Sequence, residues 1–437
     1  MGTRAKRIYV CVLMLLVAVA SGQDAKPQVK LIHAGRIVDV KEGKARSDQG
    51  ILIRAGKIEA VGPYAEVSAQ APKDATSIDW TGLTVLPGLI DCHTHLLTNI
   101  AAEPEDSLFT QVAEMSTAER ALMGAAMARE DLEAGITTVR DLGNAGLNGD
   151  VALRNAIREG WVIGPRMLVS TRAISAAGGQ FGPIQTPAAK EIIAQEYVVI
   201  SGAEEARRAV RDALYAGADV IKIIVNTGPR VLNVDEVRTI VEEAHRVHTK
   251  VAAHATDDFS VRVAAEAGVD SIEHGYVVSD EALQLMSKNG IFLVPTDGPL
   301  ETYLDFSAKT PEERKEMEEG YKKLVAKNAD RIQRARKAGV RIAAGSDMYI
   351  IYPGKTRGQA SLTMLRAYRD SGMTPAEVIR AATSDAAELL GWQDRIGSIE
   401  KGRFADLIGV EGDPLTDITT LEHVKVVMKA GSEVKTK

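Results

Sequence analysis

Short apolar runs alternate with longer amphipathic stretches from about residue 84 to residue 391, and this alternation constrains the fold more than any other feature. Eight of the runs are strand candidates: residues 84–90, 137–139, 166–169, 220–225, 251–253, 271–272, 291–294 and 341–344. The stretches between them have helical periodicity, as in residues 234–248, where Val237, Ile240, Val241 and Ala244 recur three or four positions apart.

Eight strands that alternate with helices predict an α/β fold, a (β/α)8 TIM-type barrel. An open doubly wound sheet is the alternative, but no glycine-rich phosphate-binding loop follows the first strand. Aromatic residues make up only 4% of the chain, so the core is expected to consist of Ala, Val, Ile and Leu, which suits buried parallel strands.

The two ends of the chain share a different pattern. Residues 29–78 form short alternating runs punctuated by glycines, and the same texture returns at residues 405–410 and 424–428. We therefore predict a small β-sandwich domain formed by both termini, from residues 21–85 and 398–437, around a barrel of residues 86–397.

The first twenty residues have the features of a secretory signal peptide. Arg4, Lys6 and Arg7 precede an apolar run over residues 8–20 that ends in small residues. The run is short for a bilayer span, although an uncleaved anchor is the alternative. The sequence predicts a signal peptide over residues 1–20, export to the periplasm or the medium, and no stable membrane association after cleavage.

Charge and cysteine content exclude some functions. The net charge is −6 and no basic stripe is present, so nucleic acid is not expected as a partner. Of the two cysteines, Cys11 lies in the predicted signal peptide, so no disulfide is expected within the mature chain. Cys92 is interpreted as a packing residue, with a nucleophile as the alternative.

Four of the eight histidines stand at strand ends. His93 and His95 are two positions apart on an extended segment, so both imidazoles project from the same face. His254 and His274 end two later strands, and four neutral imidazoles suit zinc or a similar divalent ion. Ordinary strand-end histidines are the alternative. The remaining four are interpreted as surface residues: His33, His245, His248 and His423.

Asp347 follows the last barrel strand, which neighbours the first strand in a closed barrel. A carboxylate there can bind a metal and take a proton from water. A helix N-cap is the alternative role.

Lys222 lies inside the apolar run of residues 220–225. Burial favours the neutral amine, which can react with carbon dioxide to form a carbamate able to bridge two cations. The alternative is a lysine that extends to solvent at the strand end.

Several stretches together resemble the amidohydrolase superfamily, in its two-metal subtype, and within it the Xaa-Pro dipeptidase and imidazolonepropionase-like branch. The resemblance covers nearly the whole chain after the signal peptide. It rests on Lys222, His254 and residues 87–95, 135–141, 164–166, 272–275, 345–347 and 397–407.

The resemblance implies a role for each matching residue. His93, His95 and Asp347 bind one divalent ion, zinc as the resemblance implies, and His254 and His274 bind the second. Lys222, as N6-carboxylysine, bridges the two ions together with a hydroxide. This hydroxide attacks the amide, and Asp347 accepts its proton and delivers it to the leaving amine. The resemblance is also compatible with a homo-oligomer.

Two loops depart from the family's pattern. Many peptidase-like members carry Gly-Gly-His after the third strand, where this chain has Gln180 in place of the histidine. After Lys222, residues 226–230 replace a Gly-Gly loop. We expect Gln180, Asn226, Arg230 and Tyr276 to face the substrate, because loops after barrel strands form the active site. Arg230 could pair with a substrate carboxylate or be a surface arginine.

These observations predict a hydrolase of a small amide substrate: a dipeptide, an N-acyl amino acid or an aryl amide of an amino acid. A cyclic amide, a lactone or a phosphoester is an alternative substrate, since the same metal pair serves all of them. An exported binding protein without catalysis is a third hypothesis. The complete set of predicted metal ligands favours an enzyme.

Overall fold

The computed structural model describes residues 28–103 and 105–434. The predicted signal peptide over residues 1–20 lies outside these described residues. Within them, no helix combines the length and the apolar character that crossing a membrane requires.

The strands of the described residues are numbered here in chain order. They are β1 Val29–Asp39, β2 Lys44–Arg54, β3 Lys57–Pro63, β4 Thr76–Pro87, β5 Leu89–Thr94, β6 Ile136–Asp141, β7 Arg166–Val169, β8 Ala173–Ser175, β9 Tyr197–Val199, β10 Val220–Ile224, β11 Asn226–Thr227, β12 Arg230–Val231, β13 Lys250–Ala255, β14 Ser271–His274, β15 Phe292–Val294, β16 Leu407–Val410, β17 Val426–Lys429 and β18 Ser432–Glu433.

The helices of the same residues follow the same numbering. They are α1 Tyr64–Ser68, α2 Leu108–Glu114, α3 Thr117–Glu133, α4 Gly149–Arg158, α5 Ala189–Glu196, α6 Ala203–Ala216, α7 Val234–His245, α8 Asp258–Ala267, α9 Asp280–Lys288, α10 Leu300–Ser307, α11 Pro311–Lys337, α12 Arg357–Asp370, α13 Pro375–Ala381 and α14 Ser384–Leu389, with a 3-10 helix at Ile418–Glu422.

Both ends of the chain enter one seven-stranded sheet, in the order β18-β17-β16-β4-β1-β2-β3. The sheet curls back on itself, because the backbone N–H of Ile58 in β3 donates to the carbonyl of Arg403, which precedes β16, at 2.9 Å. A buried apolar core fills the space inside and includes Ile32, Trp80 and Leu407. A β domain built from the two termini was predicted from their common texture.

The middle of the chain forms a closed barrel of parallel strands. One sheet has the order β5-β6-β7, and another has the order β15-β14-β13-β10-β8-β9. A backbone hydrogen bond from Asp219 to Val169 joins the two at 2.8 Å. Residues 341–344 complete the circle: Ile342 pairs with Leu293 of β15, and Cys92 of β5 donates to the carbonyl of Ala344 at 2.8 Å. The predicted (β/α)8 barrel is confirmed, with its third strand interrupted between β7 and β8.

The predicted first barrel strand, residues 84–90, is in fact divided between the two domains. Leu86 in β4 pairs with Ile408 of the terminal sheet, whereas β5 of the barrel begins at Leu89. Hydrophobicity could not show this division, because both halves are apolar and fully buried. Gly88 lies at the crossing, and a Cβ atom there would lie 2.1 Å from Oγ1 of Thr137.

We expect Gly88→Ala to lower the free energy of unfolding by about 1–3 kcal/mol, because the added methyl group overpacks the junction against Thr137. Chemical denaturation of the purified protein measures the change. Gly82→Ala is the matched control, since a Cβ at Gly82 has no neighbour within 4 Å. Equal unfolding midpoints for the two variants would contradict this account of the junction.

Two predicted helices show how local sequence and packing combine. Helix α7 begins with a capping box between Asn233 and Glu236 and buries Val237, Ile240, Val241 and Ala244, the apolar series seen in the sequence. Helix α11 is highly charged, as expected of a solvated helix. It nevertheless buries Arg331, Ile332 and Ala335, so one of its faces belongs to the barrel.

Candidate active site

The six predicted metal ligands converge at the carboxyl end of the barrel, where active sites of this fold lie. They come from four strands and from the loop after residues 341–344, and they line one cavity of about 480 Å³: His93, His95, Lys222, His254, His274 and Asp347. The structure thus brings together residues that are up to 254 positions apart in the sequence (from 93 to 347).

Three of the six form a compact group. Oδ1 of Asp347 lies 3.4 Å from Nε2 of His93 and 3.1 Å from Nε2 of His95. One ligand atom of each residue lies within 4.8 Å of the others. Two imidazole nitrogens and a carboxylate oxygen at this spacing are a donor set that divalent metal ions bind.

The other three lie beside this group. Nζ of Lys222 is 3.4 Å from Nε2 of His93, and the ring centre of His274 is 5.1 Å from that of His93. The His254 and His274 rings are 4.6 Å apart. Lys222 therefore lies next to the group of His93, His95 and Asp347. His254 and His274 add two more imidazoles to the set of possible metal ligands.

Hydrogen bonds at Nδ1 orient the rings of His93 and His95. Nδ1 of His93 lies 2.8 Å from a carboxylate oxygen of Glu273, and Nδ1 of His95 lies 3.0 Å from the carbonyl oxygen of Gly143. Both partners only accept, so each Nδ1 carries a proton and each Nε2 is the nitrogen that faces Asp347. Metal-binding histidines have this arrangement.

Nδ1 of His274 is hydrogen-bonded as well. Its Nδ1 lies 2.8 Å from Oγ1 of Thr296, and the Thr296 hydroxyl donates its own proton to the carbonyl of Pro295 at 2.7 Å. Thr296 can then accept from Nδ1 of His274, which also lies 3.3 Å from the Tyr276 hydroxyl. Three imidazoles are thus oriented by a hydrogen bond at Nδ1, as metal-binding histidines are, so the residues present fit divalent ions.

Burial sets the charge of the site. It lowers the pKa of His93 and His274 well below the usual value and that of His254 to about 3, so these rings are neutral. Burial also lowers the pKa of Lys222 to about 8, against the opposing effect of nearby carboxylates. For Asp347, burial would raise the pKa, but a hydrogen bond from His95 and the nearby Lys222 amine lower it below its usual value.

The buried ion pair of Arg140 and Glu273 supports His93 through its Nδ1 atom. No role for this pair was predicted from the sequence. Glu273 accepts from Nη2 of Arg140 at 2.8 Å and from the Ser271 hydroxyl at 2.5 Å. Arg140 also donates to the carbonyl of Cys92 at 2.5 Å, which ties three strands together. The sequence did contain an indication that these two residues are unusual, because Arg140 and Glu273 are charged residues within apolar strands, as Lys222 is.

Cys92 itself is completely buried, and burial raises the pKa of its thiol. Both facts fit the packing role expected for it.

Three residues of the site have left-handed backbone conformations: φ is 52° at Asp347, 71° at His274 and 60° at Thr296. Such conformations are uncommon outside glycine and cost energy, so they tend to occur where function requires a particular side-chain direction.

We expect Glu273→Gln to weaken metal binding about 10–100-fold, because His93 loses an anionic partner that orients it and raises its basicity. Competition with a chromogenic chelator measures the affinity. Glu266→Gln, an exposed position on α8, is the matched control. The same zinc affinity for both variants would refute the supporting role of Glu273.

Two of the four residues expected at the substrate line the cavity. Gln180 and Tyr276 are among its walls. The Gln180 side chain accepts a hydrogen bond from the Tyr197 hydroxyl at 3.2 Å, and the Tyr276 hydroxyl lies 3.3 Å from Nδ1 of His274.

Asn226 and Arg230 do not line the cavity, and their side chains are already engaged. The amide of Asn226 donates to Thr256 at 2.8 Å and to Asp257 at 2.9 Å. Arg230 donates to the backbone carbonyls of Ala177 and Phe181, at 2.7 and 2.9 Å. Both residues order loops, and Arg230 holds the segment that carries Gln180.

The remaining lining is apolar or neutral: Thr98, Ile100, Ser107, Leu108, Leu142, Asn144, Ala173, Ile224 and Tyr349. Among the described residues around this cavity, Lys222 and Asp347 are the only ones with a Lys, Arg, Asp or Glu side chain. Recognition away from the metal ligands therefore relies on apolar contact and neutral hydrogen bonds.

Fold and site together define a (β/α)8-barrel hydrolase with a candidate metal-binding centre at the carboxyl ends of its strands. Residues 84–434 match the amidohydrolase family. The chain belongs to this family of hydrolases, which act on carbon–nitrogen bonds and generally bind divalent metals.

Individual relatives support this membership. An ochratoxinase from Aspergillus niger is 31% identical over 94% of this chain and 86% of its own length. An imidazolonepropionase from Symbiobacterium thermophilum is 27% identical over 86% of this chain and 89% of its own. The crystal structure of a Xaa-Pro dipeptidase with methionine bound in its active site has a TM-score of 0.79 at 30% identity, covering 94% of this chain and all of that one.

Proposed function

We propose that this protein is a binuclear, metal-dependent amidohydrolase that cleaves the C–N bond of a small amide: a dipeptide, an N-acyl amino acid or an aryl amide of an amino acid. The observation that carries the proposal is the convergence of four imidazoles, Lys222 and Asp347 on one cavity, with Nε2 of His93 and His95 facing Asp347.

The donor set divides into two groups. His93, His95 and Asp347 would hold one ion, and His254 and His274 the other, with Lys222 as N6-carboxylysine between them. Zinc is the ion we expect, because neutral imidazoles predominate. When bound, the two ions supply Lewis-acid chemistry, since they acidify water and polarise the substrate carbonyl.

Asp347 is proposed to move the proton. Its Oδ1 faces His93 and His95, whereas Oδ2 lies 3.9 Å from Nδ1 of His274, outside hydrogen-bonding distance. Its lowered pKa keeps the carboxylate ionised, as a base requires. Oδ2 accepts the proton of the attacking water and returns it to the leaving nitrogen, so that the amine departs neutral.

The substrate class follows from the walls and from the relatives. A cavity with few formal charges suits a small amide whose side groups are apolar or neutral. The names of the relatives, an ochratoxinase and a Xaa-Pro dipeptidase, support a small amide rather than a long peptide. Because Arg230 is engaged with backbone carbonyls, we do not assign it to a substrate carboxylate.

A substrate panel tests the proposal. We expect turnover of at least one amide among dipeptides, N-acyl amino acids and aryl amides, loss of activity on chelation and its return with zinc. His93→Ala should abolish this turnover, and His423→Ala, a histidine of the terminal region that does not line the cavity, should keep it. Activity that survives complete metal removal, or a panel in which only lactones or phosphoesters react, would contradict the proposal.

We also propose that the protein is exported, on the strength of the charged and apolar start of the chain. Cell fractionation with N-terminal sequencing tests this: a mature chain that begins near residue 21 in the periplasm or medium is expected. A full-length chain in the cytoplasm would overturn it. We propose a homo-oligomer as well, and a molar-mass measurement in solution tests it.

A further inference from the structure

The backbone at Asp347 has a conformation that an aspartate does not readily adopt. Its φ of 52° lies in the left-handed region, which persists in residues other than glycine only where the surrounding structure enforces it. From this backbone position, Oδ1 of the carboxylate lies near Nε2 of His93 and Nε2 of His95. The contacts that enforce the backbone at Asp347 therefore also set the direction of a predicted metal ligand.

The residue before Asp347 is tied to the first barrel strand through Asp91. The backbone N–H of Ser346 donates to Oδ1 of Asp91 at 3.0 Å, and the Ser346 hydroxyl donates to Oδ2 at 2.6 Å. Oδ1 of Asp91 also accepts from the backbone N–H of His93 at 3.1 Å. One carboxylate thus binds the chain beside Asp347 and the chain at His93 at the same time.

The residue after Asp347 is tied to the same serine. The backbone N–H of Met348 donates to Oγ of Ser346 at 3.1 Å, and the Met348 carbonyl accepts from the backbone N–H of His95 at 3.3 Å. Asp347 itself donates its backbone N–H to the carbonyl of His93 at 2.7 Å. The turn that carries Asp347 is therefore fixed against the segment that carries both histidines, and the Ser346 hydroxyl links the two sides of this turn.

The partners of Asp91 show what its carboxylate does in the fold. The side chain has no exposed surface, and a buried carboxylate is unfavourable unless hydrogen bonds satisfy it. Within residues 28–103 and 105–434, its hydrogen-bond donors are two backbone N–H groups and one hydroxyl, and none is a Lys, Arg or His side chain. Asp91 therefore fixes the backbone groups that donate to it and does not serve as the partner of a cation.

We propose that Asp91 is a positioning residue that acts through Ser346 to hold the Asp347 carboxylate in the direction that metal binding and proton transfer require. Asp91 binds no ion itself, but it limits the directions that Asp347 can take. The inference deepens the proposed function and rests on it, because that function makes Asp347 both a metal ligand and the group that moves the proton.

Zinc affinity, measured on the full chain by competition with a chromogenic chelator, tests the inference. Ser346→Ala removes the hydroxyl that joins Asp91 to the turn, so we expect zinc to bind about tenfold more weakly, as when a group that orients a metal ligand is lost. Ser346→Thr keeps the hydroxyl, and its added methyl group can enter the cavity of about 200 Å³ that Ser346 lines. The threonine variant should therefore keep the zinc affinity of the wild type.

Ser371→Ala is the matched control for a merely structural effect. The Ser371 hydroxyl is buried and donates to the carbonyl of Ala367 at 2.8 Å, on α12. Both alanine variants lose a hydrogen bond of a serine side chain, so both should lower the free energy of unfolding of the metal-free protein by similar amounts. Only Ser346→Ala should weaken zinc binding, and only there should kcat on the best amide of the panel fall while KM stays the same.

A double variant tests whether Asp91 acts through Ser346. Asp91→Asn keeps the size of the side chain and one acceptor oxygen, but the other oxygen becomes an amide group that cannot accept. If the two residues act as one unit, Asp91→Asn combined with Ser346→Ala should bind zinc no more weakly than the weaker single variant. Should Asp91→Asn fail to fold, the comparison of the serine variants decides.

The same zinc affinity in Ser346→Ala and Ser371→Ala would overturn the inference, and so would equal weakening in Ser346→Thr and Ser346→Ala. Losses that multiply in the double variant would refute the action of Asp91 through Ser346. Zinc binding is measured without substrate, so these failures are distinct from failure of the proposed reaction. A protein whose zinc affinity responds as expected but that hydrolyses no amide would refute the reaction alone.

Discussion

Asp347→Asn is expected to lower kcat by about 10²–10⁴-fold, the usual contribution of a general acid–base group. Asparagine keeps the size of the side chain and one oxygen toward His93 and His95, but it cannot accept a proton. Steady-state kinetics on the best amide of the panel, together with metal analysis of the variant, measures the effect.

Asp79→Asn is the matched control, because Asp79 is an exposed carboxylate of the terminal sheet that accepts a hydrogen bond from Thr81. We expect it to retain full activity. A metal-loaded Asp347→Asn variant with near-normal turnover would rule out Asp347 as the group that moves the proton.

Lys222→Ala is expected to lose metal and to lower activity more than about 100-fold, because metal assistance contributes several kcal/mol to the rate. Lys222 is 3% exposed and its Nζ lies 3.4 Å from Nε2 of His93, so its removal leaves a space between the two groups of ligands. Formate, acetate or propionate should partly restore metal content and activity by occupying that space as a carboxylate.

Lys222→Met is the control for this rescue. Methionine fills much of the space that the alanine variant leaves, so added carboxylates should not restore its activity. Absence of rescue in a folded Lys222→Ala protein, or equal rescue in both variants, would count against a carbamate at this position.

Local sequence was sufficient for much of this architecture. The eight apolar runs are strand candidates, and the intervening helices carry their own periodicity and caps, so the barrel could be predicted without tertiary information. The metal-ligand candidates were visible for a related reason. Histidines and a carboxylate at the ends of apolar strands are unusual, and a closed barrel brings all strand ends to one side.

Other features depend on partners that are distant in the sequence. The division of residues 84–90 at Gly88 depends on pairing with β16, far along the chain. Arg230 looked available for a substrate because its acceptors, the carbonyls of Ala177 and Phe181, belong to a loop about fifty residues earlier.

Glu273 represents an intermediate case. Its charge within an apolar strand marked it as unusual, but its role required knowing that His93 and Arg140 face it across the barrel. A buried carboxylate without partners would be strongly unfavourable, so the residue itself indicated that partners exist. Only the three-dimensional arrangement identified them.

Elemental analysis of protein purified without chelators tests the central claim most directly. The proposed binuclear centre predicts two equivalents of zinc or a similar divalent ion per chain, reduced in Lys222→Ala and His93→Ala and unchanged in His423→Ala. One equivalent, or none with no activity after zinc is added back, would contradict the binuclear mechanism proposed for this site.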